Sequence, residues 1–389
     1  MQTVYIDNNA TTRTADEVRE SMLPFFGELY GNPSSMHAFG GGVSKHLSDA
    51  RERVAEFLNC SPDEVIFTSC ATEADNTAIR GTADWFGRDM KVITTAVEHP
   101  AVLQPARRLK AQGFNEVELP VNEVGQIDLD QLRAELKGTK NALVSVMWAN
   151  NETGNIQPVI ELGELARKNG ALFHTDAVQA VGKVPMNLAE LPIDMLRLSG
   201  HTFHAPKGIG ALYGKRGVRV HPYIIGGHQE HGRRAGTENL ASIVGLGKAA
   251  ELALANIGHE NTAVRALRDK LEQGVLASIP SVRINGDVEH RLPNTANISF
   301  EYIEGESILM LLDMHNICAS SGSACTTGSL EPSHVLRAMG VPYTAAHGSI
   351  RFSFSRYNTE AEVDRVLEVL PPVIARLREI SPYWKQQQN

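Results

Sequence analysis

The sequence predicts an α/β protein in which a large unit with a mostly parallel sheet, covered by helices on both faces, is followed by a smaller α+β unit. Three observations carry this. Between about residues 50 and 215, short apolar runs alternate with helical patterns, the signature of parallel strands joined by crossover helices. From residue 257 that alternation gives way to a long charged helical segment, a few short strand patterns and one long terminal helix. A chain of 389 residues also exceeds a single simple core, so about two units are expected.

In chain order, strands of the large unit are expected at residues 64–68, 91–97, 142–148, 171–175, 195–199 and 210–214. These runs are short and apolar, as strands buried on both faces should be. Residues 257–276, rich in Arg, Lys and Glu, read as an amphipathic helix that bridges to the second unit. Strands at 282–285, 297–300 and 350–353 follow, and a helix over 359–380 ends the pattern. The large unit is expected over 13–257, and the small one over 1–12 and 258–389. No internal repeat or low-complexity stretch interrupts them.

Composition narrows the function. The net charge is −8 with both signs mixed, which argues against wholesale nucleic-acid binding, although Arg233 and Arg234 could form a local basic patch. A small-molecule substrate is the better expectation. Cys60, Cys70, Cys318 and Cys325 form no CxxC pair, so neither a structural zinc site nor a disulfide framework is indicated, and a reducing cytoplasm fits. The N-terminal residues lack a basic-then-apolar leader, and no run approaches the roughly 18 apolar residues of a membrane span.

In folds of this class ligands sit beyond the strand ends, and those positions are rich in chemistry. The segment Thr68-Ser69-Cys70-Ala71-Thr72-Glu73 passes from strand into helix, where free N–H groups and the helix dipole suit a phosphate; ordinary capping by Ser69 or Thr72 is the alternative. Asp176 closes an apolar strand and could pair with a protonated pyridine nitrogen, or simply cap a helix, and Gln179 lies one turn further on. His99 precedes Pro100 at a helix start, where an imidazole can stack on a flat cofactor, move protons or serve structure alone. Asn150-Asn151-Glu152-Thr153-Gly154 is a polar turn after a strand. Cys325 lies among Ser, Gly, Thr and Ala from Ser320 to Ser329, a setting for an exposed, mobile thiol rather than a core cysteine. Cys60, Cys70 and Cys318 adjoin strand or helix patterns and read as packing residues.

Taken together, Asp7-Asn8-Asn9-Ala10-Thr11-Thr12, Gly31-Asn32-Pro33-Ser34-Ser35, Ala71-Thr72-Glu73, Glu98-His99-Pro100, Asn150-Asn151-Glu152-Thr153-Gly154, His174-Thr175-Asp176-Ala177-Val178-Gln179, Arg234-Ala235-Gly236-Thr237-Glu238-Asn239 and Ser321-Gly322-Ser323-Ala324-Cys325 resemble the cysteine desulfurases of the NifS/IscS type, in the class V aminotransferase superfamily. Arg233 to Asn239 and Glu301 to Glu306 look closest to the nitrogen-fixation branch. The resemblance implies a type I pyridoxal-phosphate fold and a homodimer that converts L-cysteine to L-alanine. Sulfur would pass to Cys325 as a persulfide and on to an iron–sulfur scaffold protein, with neither nucleic acid nor membrane as partner. It further implies that Ala71, Thr72, Ser199, Gly200 and His201 bind the phosphate, helped by Thr237 of the other subunit. Asp176 would pair with the ring nitrogen, Gln179 and Asn151 would lie near the ring oxygen, and His99 would stack on the ring. Arg351, assisted by Asn151, would clamp the substrate carboxylate, a task that suits a planar guanidinium.

One position departs. In Ser199-Gly200-His201-Thr202-Phe203-His204 the family carries its Schiff-base lysine where this chain has Thr202. Threonine forms no imine, and Lys207 belongs to the family motif in its own right. With each partner residue retained, the loss reads as an engineered exchange that would hold a bound intermediate; a natural coding sequence specifying Thr202 would refute that. The competing expectations are a non-catalytic, cofactor-bound scaffold for sulfur acceptors, a selenocysteine lyase, or an aminotransferase, the last disfavoured by Cys325 in its polar loop.

Overall fold

The structure, a computed structural model, describes residues 3–321 and 331–387. Strand β1 (Val4–Tyr5) opens the chain. The next seven strands, β2 (Val65–Thr68), β3 (Lys91–Thr95), β4 (Asn115–Leu119), β5 (Ala142–Ser145), β6 (Leu172–Asp176), β7 (Met195–Ser199) and β8 (Gly210–Gly214), form one sheet in the order β2-β8-β7-β6-β5-β3-β4. Only β8 runs antiparallel to its neighbours. The C-terminal ends of the other six therefore share one edge of the sheet, and the crossover helices cover its faces.

Residue pairs along these strands explain the layering. Phe67, Ile93, Val144, Leu196 and Tyr213 join one core, while their neighbours Ile66, Val92, Leu143, Met195 and Leu212 join another on the opposite face. Successive side chains of a strand point to opposite faces, so a run apolar at both parities needs cover on both. The helix pair Leu240–His259 and Arg265–Ser278, continuous through Glu260–Val264, is long and apolar enough to cross a membrane by length and composition. Leu240, Ile243, Leu246, Ala249 and Val275 are nevertheless buried within the protein.

Strands β9 (Val282–Ile284) and β10 (Thr295–Phe300), with β12 (Ser349–Ser353), make a three-stranded antiparallel sheet, while β11 (Ile317–Cys318) pairs in parallel with β1. Val4 and Ile6 pack with Val264, Phe300, Phe352 and Leu370 in a third core. The terminal helix Glu360–Ile380 starts on a capping box, in which Thr359 and Glu362 satisfy each other's backbone N–H groups.

Several expected boundaries shift. The runs at 91–97 and 142–148 stop as strands at Thr95 and Ser145: the Met147 N–H goes to the Glu98 carboxylate at 3.0 and 3.1 Å instead of to a strand, although Val146 and Trp148 still donate to His174 O and Asp176 O of β6. The helix expected from residue 257 starts at Leu240, where an almost wholly apolar face hides the amphipathic period. Strands β1, β4 and β11 were not expected at all.

Candidate active site

Each polar residue singled out after a strand lies at the shared C-terminal edge of the sheet. Asp176 ends β6, and its Oδ1 accepts the Val178 N–H at 3.0 Å. Arg197, mid-way along β7 and buried, donates through Nη2 to Asp176 Oδ2, and its Nη1 lies 2.7 Å from Asp75 Oδ2. Burial opposes charge on Asp176, but the Arg197 guanidinium, with the Val178 N–H, holds its carboxyl below the usual range. Asp75 fares differently: burial, with Asp176 and Glu98 adding repulsion, raises it well above that range in spite of Arg197. Burial also pushes Glu98 up to about 8 and His174 down to about 3.

Asn9 links the next group. Its carbonyl accepts from Gln179 Nε2 at 3.0 Å, and its own Nδ2 donates to Asn151 O at 3.2 Å. Arg351 on β12 donates through Nη1 to the same Asn151 carbonyl at 3.0 Å and through Nη2 to Asp7 Oδ1 at 2.7 Å. Gln179 Oε1 and Arg351 Nε are buried without a hydrogen-bond partner. Such atoms are costly unless something completes them.

Thr202 ends the short turn Gly200–Thr202 and is buried, with its hydroxyl 3.0 Å from both Val178 O and Ser199 O. One proton serves either carbonyl, so the hydroxyl is occupied within the loop. Gly200 is held close: an added Cβ would fall 2.9 Å from the Ala205 Cβ and from Ile209 Cγ2. The His201 carbonyl accepts from the Thr12 N–H at 2.8 Å and from the Thr12 hydroxyl at 2.9 Å, tying this turn to the N-terminal segment.

The helix Ala71–Phe86 carries no side-chain cap; its N-cap is Cys70, and Glu73 instead accepts the Ser69 N–H at 2.8 Å. The capping alternative for Ser69 or Thr72 is thus not what the fold uses, and the first-turn N–H groups stay available. Thr72 is exposed and shares a cleft with His99, Asn76 and Gln104. His99 caps its own helix, with Nδ1 accepting the Ala101 N–H at 3.0 Å, so the ring proton sits on Nε2. Burial, with the Arg197 charge, pushes His99 down to about 4 and keeps it neutral. Asn150 Oδ1 accepts the Glu152 and Thr153 N–H groups, and Gly154 at φ +80° completes the turn that presents Asn151.

Two residues stand apart. Thr237 is exposed in a different cleft, with Ser69 and Arg234, and Cys325 lies outside the described residues. Sequence reasoning missed Arg197, Asp75, Glu98, Asn9 and Asp7 as parts of the site. The available signal was Arg197, a charge inside the otherwise apolar run at 195–199.

The sequence model of the family described as Aminotransferase class-V matches residues 4–366. The chain is 57% identical to a cysteine desulfurase of Trichormus azollae over 395 aligned positions, which cover 100% of this chain and 98% of that protein. It is 58% identical to the cysteine desulfurase NifS of Azotobacter vinelandii over 385 positions, covering 99% and 96%. Among solved structures, a NifS-like protein superposes with a TM-score of 0.91 at 40% identity, covering 97% of this chain and 100% of that one. A NifS-like protein from Rickettsia africae superposes at 0.87 with 31% identity, covering 96% and 100%. The chain therefore belongs to the class-V aminotransferase family, with the type I fold and the pyridoxal-phosphate dependence of that family.

Proposed function

We propose that this chain is built as an L-cysteine desulfurase and that Thr202 disables it. The observation carrying the reading is that Asp176, His99 and Asn151 lie at one edge of the sheet, with Gln179 tied to Asn9, Arg351 tied to Asn151 and a buried threonine bonded to Val178 O, in a chain more than half identical to proteins named cysteine desulfurase. In this reading, residues 13–257 form the cofactor-holding unit, and 1–12 with 258–389 form the unit carrying Cys325 and Arg351.

The polar atoms left open suit pyridoxal phosphate. Gln179 Oε1 has no partner, the helix at Ala71 has free N–H groups, and Asp176 is a buried carboxylate kept ionised by its surroundings. Ala71, Thr72, Ser199, Gly200 and His201 would hold the phosphate, Asp176 the ring nitrogen, and Gln179 with Asn151 the ring oxygen. The cofactor, when bound, supplies an electron sink for negative charge at the substrate α-carbon. Arg351 would orient the substrate by its carboxylate. His99, neutral and with Nδ1 committed to Ala101, has Nε2–H as the group it can offer. Cys325 would take the sulfur: its thiol and L-cysteine become a protein persulfide and L-alanine, with one S–S bond formed and one C–S bond broken. Thr202 can neither form an imine nor act as a base near neutral pH, so the α-proton is not moved.

Thr237 is exposed and lines a cleft other than the one shared by Thr72 and His99, which leaves it free to serve a second copy in the homodimer of this reading. An iron–sulfur scaffold protein, in nitrogenase cluster assembly, is the proposed acceptor. A second reading, a cofactor-holding scaffold without turnover, draws on the two carbonyls that seat the Thr202 hydroxyl. Restoring the lysine by Thr202→Lys, alone and with Cys325→Ala, tests the desulfurase reading. With a thiol reductant present to discharge the persulfide, sulfide and alanine release in the first and not in the second are expected; release that survives Cys325→Ala would refute the role of Cys325.

A further inference from the structure

The Asp75–Arg197–Asp176 chain lies beneath the site and is buried throughout, with side-chain exposures of 0%, 3% and 6%. One guanidinium bridges two carboxylates, Nη1 to Asp75 and Nη2 to Asp176. Among the described residues Arg197 is the only cation in ion-pair contact with Asp176. The other titratable groups facing the chain are Glu98, His99, His174 and Cys70. His99 and His174 are neutral at pH 7, so neither replaces the guanidinium charge.

We propose that Arg197 is a positioning residue for the cofactor ring: it fixes the Asp176 carboxylate and keeps it an anion, so that the shared proton rests on the ring nitrogen. This rests on the pairing of Asp176 with that nitrogen proposed above. Without that cation the buried Asp176 would lose its one ion-pair partner among the described residues, and burial would favour its protonated form. A carboxyl group carrying that proton would face the ring as a neutral donor, and the ring would lose its positive charge. The direction follows from distance. A guanidinium touching a carboxylate lowers that carboxylate's proton affinity more than it lowers the affinity of a base the carboxylate itself holds. Arg197 therefore favours a protonated ring over a protonated Asp176, and a protonated ring is the stronger electron sink. The bridge also orients the carboxylate: Oδ2 is engaged by Arg197 and Oδ1 by the Val178 N–H.

The test is the ring-nitrogen resonance of ¹⁵N-labelled pyridoxal phosphate bound in excess to the full chain, compared with Asp176→Asn, Arg197→Gln, Arg197→Lys and Asp75→Asn. The parent should show a protonated nitrogen. Arg197→Gln should move the resonance toward the unprotonated position and Arg197→Lys should recover most of the shift, which a packing defect alone would not do. Asp75→Asn, which leaves the guanidinium to Asp176, should stay with the parent and covers the case in which Arg197→Gln does not fold. A parent-like resonance in Arg197→Gln, or an unprotonated one in Asp75→Asn, overturns the proposal. If Asp176→Asn moves the resonance while Arg197→Gln does not, only the role of Arg197 fails. If Asp176→Asn is also parent-like, the pairing of Asp176 with the ring fails with it.

Discussion

Gly210 offers a sharp perturbation of the proposed phosphate end of the site. It pairs with Thr68 on one side and Ser199 on the other, at the start of β8. A methyl group there would fall 2.7 Å from Leu198 O, 3.0 Å from Cys70 C and 3.2 Å from Ala71 N. All three neighbours are backbone atoms, so no side chain can swing aside. Bringing the closest contact, with Leu198 O on β7, out to about 3.4 Å needs roughly 0.7 Å, and those with Cys70 and Ala71 at the N-terminus of the helix Ala71–Phe86 need roughly 0.4 and 0.2 Å, so β8 and that helix are pushed apart. Overpacking of this kind costs about 1–3 kcal/mol. A charge-assisted hydrogen bond is worth about 1.5–3 kcal/mol net, so partial loss of one or two such bonds to a phosphate amounts to roughly a 10-fold loss in affinity. Gly210→Ala should weaken pyridoxal phosphate about 10-fold while leaving pyridoxal, which has no phosphate, nearly unchanged; titration by fluorescence quenching reads both. Equal weakening of the two ligands, or no change in either, would refute the argument that this glycine seats the phosphate helix.

Other consequences are equally open to measurement. Arg351→Ala should cut the affinity of the cofactor-loaded protein for L-alanine by about 10- to 100-fold, the worth of a charge-assisted contact, as read from the absorbance change on titration. Glu230 is buried, with Oε1 2.6 Å from Arg51 Nη2, and its Oε2 accepts the Phe67 N–H at 3.0 Å. Glu230→Ala strands both partners and should cost about 3–5 kcal/mol in urea unfolding. His99, His174 and His204 are held by burial down to about 4, 3 and 3, so they are neutral when folded but take protons below about pH 6.5 when unfolded. Their contribution is complete above that pH and is lost as pH falls toward 4, so stability should drop over this window. His204→Asn, which tolerates the left-handed backbone at φ +71°, should flatten the slope.

Much of this arrangement is legible in the sequence because buried parallel strands leave an apolar record and their polar ends stand out against it. Asp176, His99 and Asn151 were visible for that reason. His99 has a structural task, since it caps its helix, and it also lines the cleft with Thr72. Thr72 differs, because its helix takes no side-chain cap. Other features escape a local reading. Arg197 lies in the middle of an apolar run, and only the fold brings it to Asp75 and Asp176, residues far from it and from each other in sequence. Asn9 and Asp7 reach the site through the pairing of β1 with β11 and the contact of Asp7 with Ser353, pairings of a few residues that no local propensity could announce. The edge strand β4, Asn115–Leu119, is half polar because Glu116 and Glu118 pair with Lys110 and Arg107 of the preceding helix, and the helix Leu240–His259 hides its period because it is apolar nearly all round.

The exchange Thr202→Lys bears most directly on the central claim. The parent and the Thr202→Lys protein, each with pyridoxal phosphate, would be compared by absorbance before and after L-cysteine, with a borohydride-stable adduct sought by mass and alanine assayed alongside. A covalent cofactor and alanine in the lysine form alone are the expected result. Alanine formed by the Thr202 protein would contradict it, because another residue would then be moving the α-proton.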